Sequence, residues 1–117
     1  MLIFVYGTLK GGFCNHGVLG DATFMGNYTT PPVYRMFDLG AFPAISLDGT
    51  TAIIGEVYEI DNLDRVDVLE GYPTLYDRSE IPTNFGMAWV YHYEWGESDY
   101  HFIQKGSPQI IENGFWK

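Results

Sequence analysis

Cysteine and long apolar runs are scarce in this sequence. The 117 residues include one cysteine, Cys14, which cannot form an internal disulfide bond and therefore fits a reducing compartment. No apolar run approaches the roughly 18 residues that a membrane-spanning helix needs. The first run, residues 1–6, lacks the basic flank and the cleavage pattern of a secretory signal. We therefore expect a cytoplasmic protein with no membrane partner, in which Cys14 is a core residue.

Basic side chains are also few. Six Lys and Arg residues stand against 15 Asp and Glu residues, and the formal net charge is −9. Such a charge repels phosphate backbones and anionic membrane surfaces, so nucleic acid is not an expected partner. The acidic residues are scattered along the chain, which is typical of a solvated surface.

Clusters that could hold a metal ion or a bound cofactor are missing as well. His16, His92 and His101 have no ligand spacing with one another or with Cys14, so we expect no metal site. Residues 7–12 match only the first half of a P-loop, because Phe13 and Cys14 stand where Lys and Ser or Thr would follow. What remains is a strand end followed by glycines, where backbone N–H groups can converge on an anion or an oxyanion.

Apolar and aromatic residues, by contrast, are abundant, at 46% and 17% of the chain. They predict one globular domain over residues 1–117 that folds without disulfide bonds or a bound metal. Short β-branched and aromatic runs, separated by Gly and Pro, predict strands and hence an all-β or α+β fold. The runs are residues 1–6, 22–29, 33–38, 44–47, 52–60, 75–81, 87–95 and 99–104, an overcount by one or two. Aromatic residues alternate within the run 87–95, which predicts a half-buried strand.

Two segments read as helix, residues 13–19 and residues 61–70. The second has Asp or Asn at its start and Gly71 and Pro73 as stop signals. At about 100° per residue, Glu70 falls on the same arc as Leu63 and Val66. Either the helix frays before Glu70 and its carboxylate reaches water, or Glu70 projects into a partly apolar cavity where its pKa is raised toward the range of a general base.

Six sequence blocks, taken together, resemble the γ-glutamylcyclotransferase-like family, which includes AIG2-like proteins and γ-glutamylamine cyclotransferase. The blocks are YGTLK at residues 6–10, NH at 15–16, LGAFPA at 39–44, GEVYEI at 55–60, LEGYP at 69–73 and YDR at 76–78. The resemblance implies an α+β fold, a small mixed β-barrel of about six to seven strands with one or two short helices.

The same resemblance implies a reaction and a site. The substrate would be a γ-glutamyl amine or γ-glutamyl amino acid, which is converted to 5-oxoproline and a free amine with no cofactor. Glu70 would be the catalytic residue, and the substrate-binding residues would be Tyr6, Gly7, Thr8, Leu9 and Tyr76. The alternative is a non-catalytic module that binds a small anion. The leaving amine and the oligomeric state stay open at the level of sequence.

Overall fold

The computed structural model describes residues 1–93 and 109–117 of the protein. Within those ranges the chain forms eight strands, one α-helix and one turn of 3-10 helix. In chain order these are β1 (Leu2–Val5), the 3-10 turn (His16–Leu19), β2 (Thr23–Thr29), β3 (Tyr34–Asp38), β4 (Pro43–Thr51), β5 (Ile54–Glu59), α1 (Asp64–Glu70), β6 (Asp77–Thr83), β7 (Gly86–His92) and β8 (Gln109–Ile110).

The larger sheet is built around β1. Its strand order is β2-β5-β1-β7-β6, with β1 antiparallel to β5 and parallel to β7. Successive side chains of β1 enter different halves of the core, Ile3 and Val5 on one face of the sheet and Phe4 on the other. Burial on both faces explains why β1 is a continuous apolar run without polar alternation.

The smaller sheet has the order β4-β3-β8. It is joined to the larger sheet by a hydrogen bond of 2.8 Å from the Tyr93 amide to the Ile45 carbonyl. The C-terminal segment ties the sheets together again, because the Ile111 amide donates to the Met36 carbonyl and the Ile54 amide donates to the Gly114 carbonyl, both at 2.9 Å.

The predicted α+β fold is confirmed. Seven strands of the described chain have four or more residues, and one short α-helix accompanies them. The described strands are arranged in two sheets and are not closed into a barrel.

Helix α1 is shorter at its start than the predicted segment 61–70 and ends where predicted. The Asn62 side chain accepts a hydrogen bond of 3.1 Å from the Asp64 amide and thereby fixes the first turn. Gly71 ends the helix in the left-handed conformation, with φ of 67°, which a glycine adopts without a Cβ penalty. Leu63 and Val66 are buried and dock the helix on the core.

Several expectations are corrected by the structure. Strand β7 is buried on both faces, because Val90 packs in one core cluster and Tyr91 in the other; the half-buried prediction was wrong. Cys14 is exposed and is not a core residue. The segment 13–19 forms only the 3-10 turn, and the predicted strand 99–104 lies outside the described residues.

Among the residues that the structure describes, no helix is both long and apolar enough to cross a membrane.

Candidate active site

A cleft opens where the loop after β1 meets the last residue of α1. Its volume is about 360 Å³, including the mouth. It brings together positions that lie more than 60 residues apart in the sequence. The lining residues are Phe4, Val5, Tyr6, Gly7, Thr8, Leu9, Phe42, Pro43, Glu70, Tyr76 and Tyr91. All six residues predicted for the site, Tyr6, Gly7, Thr8, Leu9, Glu70 and Tyr76, are therefore in one cleft.

The loop is a tight turn with its ends fixed. The Lys10 amide donates to the Gly7 carbonyl at 3.0 Å, which closes the turn. Asn15 holds Thr8 twice, through a backbone bond to the Thr8 carbonyl and a side-chain bond to its hydroxyl, each of 3.0 Å. Among the turn and loop hydrogen bonds of the described chain, none is donated by the amides of Gly7, Thr8 or Leu9. The hydrogen bonds that shape this turn therefore do not use these three amides.

Gly7 lies against the opposite wall of the cleft. A Cβ atom at Gly7 would come within 2.6 Å of Pro43 Cγ, so only glycine fits there without movement of the wall. Pro43 is itself held by Tyr76, whose hydroxyl donates to the Pro43 carbonyl at 3.0 Å. The requirement for glycine at this position is therefore explained by packing between the loop and the wall.

Glu70 is placed in the cleft by the core-facing side of α1. It follows Leu63 by seven residues and Val66 by four, so it shares their face of the helix. The helix includes Glu70, and its side chain is not freely exposed, which rules out the frayed alternative. Burial raises the pKa of the Glu70 carboxyl from 4.5 to about 7, because a desolvated carboxylate is unfavourable.

Two tyrosines beside Glu70 are held as neutral hydrogen-bond donors. The Tyr6 hydroxyl donates to the Tyr91 carbonyl at 2.7 Å. Burial, followed by the neighbouring ionisable groups of Tyr76 and Glu70, raises the pKa of Tyr6 well above its usual value. Burial and the neighbouring Glu70 raise the pKa of Tyr76 in the same way. Both hydroxyls are engaged with backbone carbonyls, so these two side chains shape the cleft and stay uncharged at neutral pH.

A polar network that includes the cleft residue Tyr91 fixes α1. The Tyr91 hydroxyl donates to Asp67 Oδ1 at 2.5 Å, and Arg78 Nη1 lies 3.2 Å from the same oxygen. The Arg78 guanidinium also stacks on the rings of Tyr72 and Trp89, at 4.5 and 4.9 Å from their centres. Asp67 lies one helical turn before Glu70, so this network fixes the start of the helical turn that ends at Glu70.

Sequence reasoning missed part of this site. Pro43 and Phe42 belong to a block that carries the family resemblance, which was a usable signal for a place in the cleft. The sequence places Tyr91 in the alternating aromatic run 87–95 and Asp67 in the predicted helix 61–70, and indicates no further role for either residue. Their roles depend on the pairing of β7 with β1 and β6, which no local pattern reports.

No group of three or more His, Cys, Asp or Glu side chains in residues 1–93 and 109–117 is arranged to hold a metal ion.

The fold and the cleft together define a small α+β protein with one partly buried carboxyl group facing a backbone loop. Comparison with known proteins agrees with this class. The family model described as gamma-glutamyl cyclotransferase, AIG2-like, matches residues 3–117. The chain belongs to that family.

Individual relatives span nearly the whole chain. A Vibrio cholerae protein with a provisional gamma-glutamylcyclotransferase name is 40% identical over 117 residues, covering 98% of this chain and 94% of the relative. The gamma-glutamylcyclotransferase family protein YtfP of Escherichia coli K12 is 33% identical over 118 residues, covering 99% of this chain and 96% of the relative. Among solved structures, a mouse AIG2-like protein superposes with a TM-score of 0.76 at 27% identity, covering 96% of this chain and 86% of the mouse chain.

Proposed function

We propose that the protein is a cyclotransferase that converts a γ-glutamyl amine or γ-glutamyl amino acid to 5-oxoproline and a free amine. The observation that carries the proposal is Glu70, a desolvated carboxyl group in the same cleft as the loop of residues 6–9. A pKa of about 7 makes this carboxyl an effective proton acceptor and donor near neutral pH. The family to which the chain belongs supports the same reaction.

The proposed reaction is an intramolecular acyl transfer. Glu70 takes a proton from the substrate's α-ammonium group, and the freed amine attacks the side-chain carbonyl carbon. A carbon–nitrogen bond forms and closes a five-membered ring. The bond from the same carbon to the leaving nitrogen then breaks as Glu70 returns the proton to that nitrogen. The attacking nitrogen loses a second proton on becoming the ring amide, and the released amine takes up that proton and departs as an ammonium ion. The substrate and products balance without any co-reactant.

The loop amides have two tasks in this proposal. The amides of Gly7, Thr8 and Leu9 bind the substrate's α-carboxylate and the carbonyl oxygen as it acquires negative charge. Because both reacting groups belong to one molecule, holding it folded back supplies a large part of the rate enhancement, on the order of 7 to 11 kcal/mol at most. The walls formed by Phe42 and Tyr76 limit the bound conformations.

The test is release of 5-oxoproline from a panel of γ-glutamyl amines, γ-glutamyl amino acids and glutathione. We expect the wild-type protein to act on at least one class. Glu70→Gln is nearly isosteric but cannot accept the ammonium proton, so its rate should fall by about 10² to 10⁴, toward the upper end because one group serves both proton transfers. Glu80→Gln, the same change at an exposed glutamate, is the control and should keep full activity.

The alternative function is a non-catalytic module that binds a small anion in the same cleft. Release of no 5-oxoproline from any member of the panel, with the protein folded, would favour it. A Glu70→Gln variant that still cyclises its substrate at the wild-type rate would show that the protein catalyses the reaction without using Glu70.

A further inference from the structure

Lys10 follows the proposed substrate loop and is buried, although the proposed chemistry does not use it. The residue as a whole is only 3% exposed. Among the described residues the one ion pair within 4 Å joins Arg78 and Asp67, so no carboxylate of the described residues directly contacts the Lys10 ammonium. Burying such a group is costly, and desolvation accordingly lowers its pKa, with Glu56 opposing the shift. A fold with no further use for the ammonium would gain from an apolar residue here.

The ammonium is engaged with the C-terminal end of the chain. Lys10 Nζ donates to the Trp116 carbonyl at 2.6 Å, across 106 positions of sequence. It also lies 4.0 Å from the ring centre of Phe115 and 4.8 Å from that of Phe13. A cation between two aromatic faces, with a carbonyl as acceptor, is held in one place.

The backbone of the same residue closes the loop. The Lys10 amide donates to the Gly7 carbonyl, and the Lys10 carbonyl accepts from the Phe13 amide, both at 3.0 Å. Fixing Lys10 therefore fixes the end of the turn that carries the amides of Thr8 and Leu9. The segment that fixes it is anchored independently, since the Gly114 carbonyl accepts from the Ile54 amide of β5.

We propose that Lys10 is a positioning residue whose contact with residues 115 and 116 holds the substrate loop in the geometry needed for catalysis. Residues 115 and 116 then support the active site by holding the loop, although they do not line the cleft. This inference rests on the proposed function for its catalytic consequence only, because the position of the loop can be measured without substrate.

The first test is hydrogen exchange of the amides of residues 10, 13 and 15, which donate the hydrogen bonds of the loop, in the wild type and in Lys10→Met, which keeps the apolar stem and removes the ammonium. We expect roughly tenfold or more faster exchange in the loop, with the amides of β7 unchanged. Lys117→Met, the same substitution at an exposed lysine, should leave the loop at the wild-type rate. Unchanged loop exchange in Lys10→Met, or equal acceleration in the loop and in β7, would overturn the proposal.

A second variant removes the partner instead of the lysine. A chain ending at Gly114 keeps the anchor to Ile54 and lacks Phe115 and the Trp116 carbonyl, so it should reproduce the loop exchange of Lys10→Met. Trp116→Ala keeps the carbonyl and should stay near the wild type. Wild-type exchange in the truncated chain would show that residues 115–117 do not hold the loop.

Kinetics then separate positioning from chemistry. In Lys10→Met we expect kcat/KM for 5-oxoproline release to fall roughly ten- to a hundredfold, with the acidic limb of its pH profile still near pH 7. Lys10→Arg, which retains a charged donor and a stacking face, should recover part of the loss. Equal losses in Lys10→Arg and Lys10→Met would contradict the role of the charge. If the wild type cyclised no γ-glutamyl substrate, the proposed function would fail and the exchange experiment would still decide the role of Lys10.

Discussion

Glu70 is a carboxyl group whose burial gives it a stability signature that is measurable without substrate. Its pKa is raised from 4.5 to about 7 in the folded protein, so the folded state binds its proton more tightly than the unfolded state does. The stabilisation of the folded state by this bound proton is complete below about pH 4.5, decreases as the pH rises toward 7, and is lost above about pH 7. The shift corresponds to about 3 kcal/mol.

We therefore expect Glu70→Gln to remove this pH dependence. Relative to the wild type, the variant should become more stable between pH 4.5 and pH 7 by up to about 3 kcal/mol, because it has no carboxylate to desolvate. Urea denaturation at a series of pH values measures the difference. Glu80→Gln, at an exposed position, should follow the wild-type curve. A constant difference between Glu70→Gln and the wild type across this range would mean that Glu70 is solvated in the folded protein.

Among the secondary-structure elements, α1 determines the position of Glu70, and this position is fixed only if α1 is itself firmly attached to the core. Leu63 and Val66 dock it on the core, and the Asp67 carboxylate accepts the Tyr91 hydroxyl of β7. A hydrogen bond to a charged group contributes about 1.5 to 3 kcal/mol. The helix is only seven residues long, so such a bond is a large part of what fixes its last turn.

Tyr91→Phe tests this anchor. The ring remains to fill the core, and only the hydroxyl that reaches Asp67 is lost. We expect a loss of about 2 kcal/mol in the free energy of unfolding, measured by chemical denaturation, together with lower activity because Glu70 is less well fixed. Tyr28→Phe removes an exposed hydroxyl hydrogen bond on β2 and serves as the control. A Tyr91→Phe variant as stable as Tyr28→Phe would show that the bond to Asp67 does not secure α1.

The elements also show what local sequence patterns predict and where they fail. The apolar run before Gly7 predicts β1, and the residues from 61 to 70 predict α1; both predictions depend on neighbouring residues only. The helical arc of Leu63, Val66 and Glu70 left open whether the Glu70 carboxylate faces a cavity or water. The burial of β7 on both faces and the exposure of Cys14 were predicted wrongly, because each depends on which distant segments pack nearby.

At the scale of the whole molecule, the cleft forms because β1 lies at the centre of the larger sheet. The loop after β1 emerges at the edge where α1 ends, and the wall at Pro43 comes from the smaller sheet. No sequence pattern reports this meeting of three segments, and only the family resemblance anticipated it. The contact of Lys10 with Trp116 joins the two ends of the chain and had no sequence signal at all.

The central claim is that Glu70 exchanges the proton during cyclisation, and the most direct measurement is the pH dependence of kcat/KM for 5-oxoproline release. The base must be deprotonated to act, so the wild-type rate should decrease with falling pH below an apparent pKa of about 7. Glu70→Gln should show a rate lower by about 10² to 10⁴ and no such limb. A wild-type limb near the ordinary glutamate pKa of 4.5, or an unchanged limb near pH 7 in Glu70→Gln, would contradict the account.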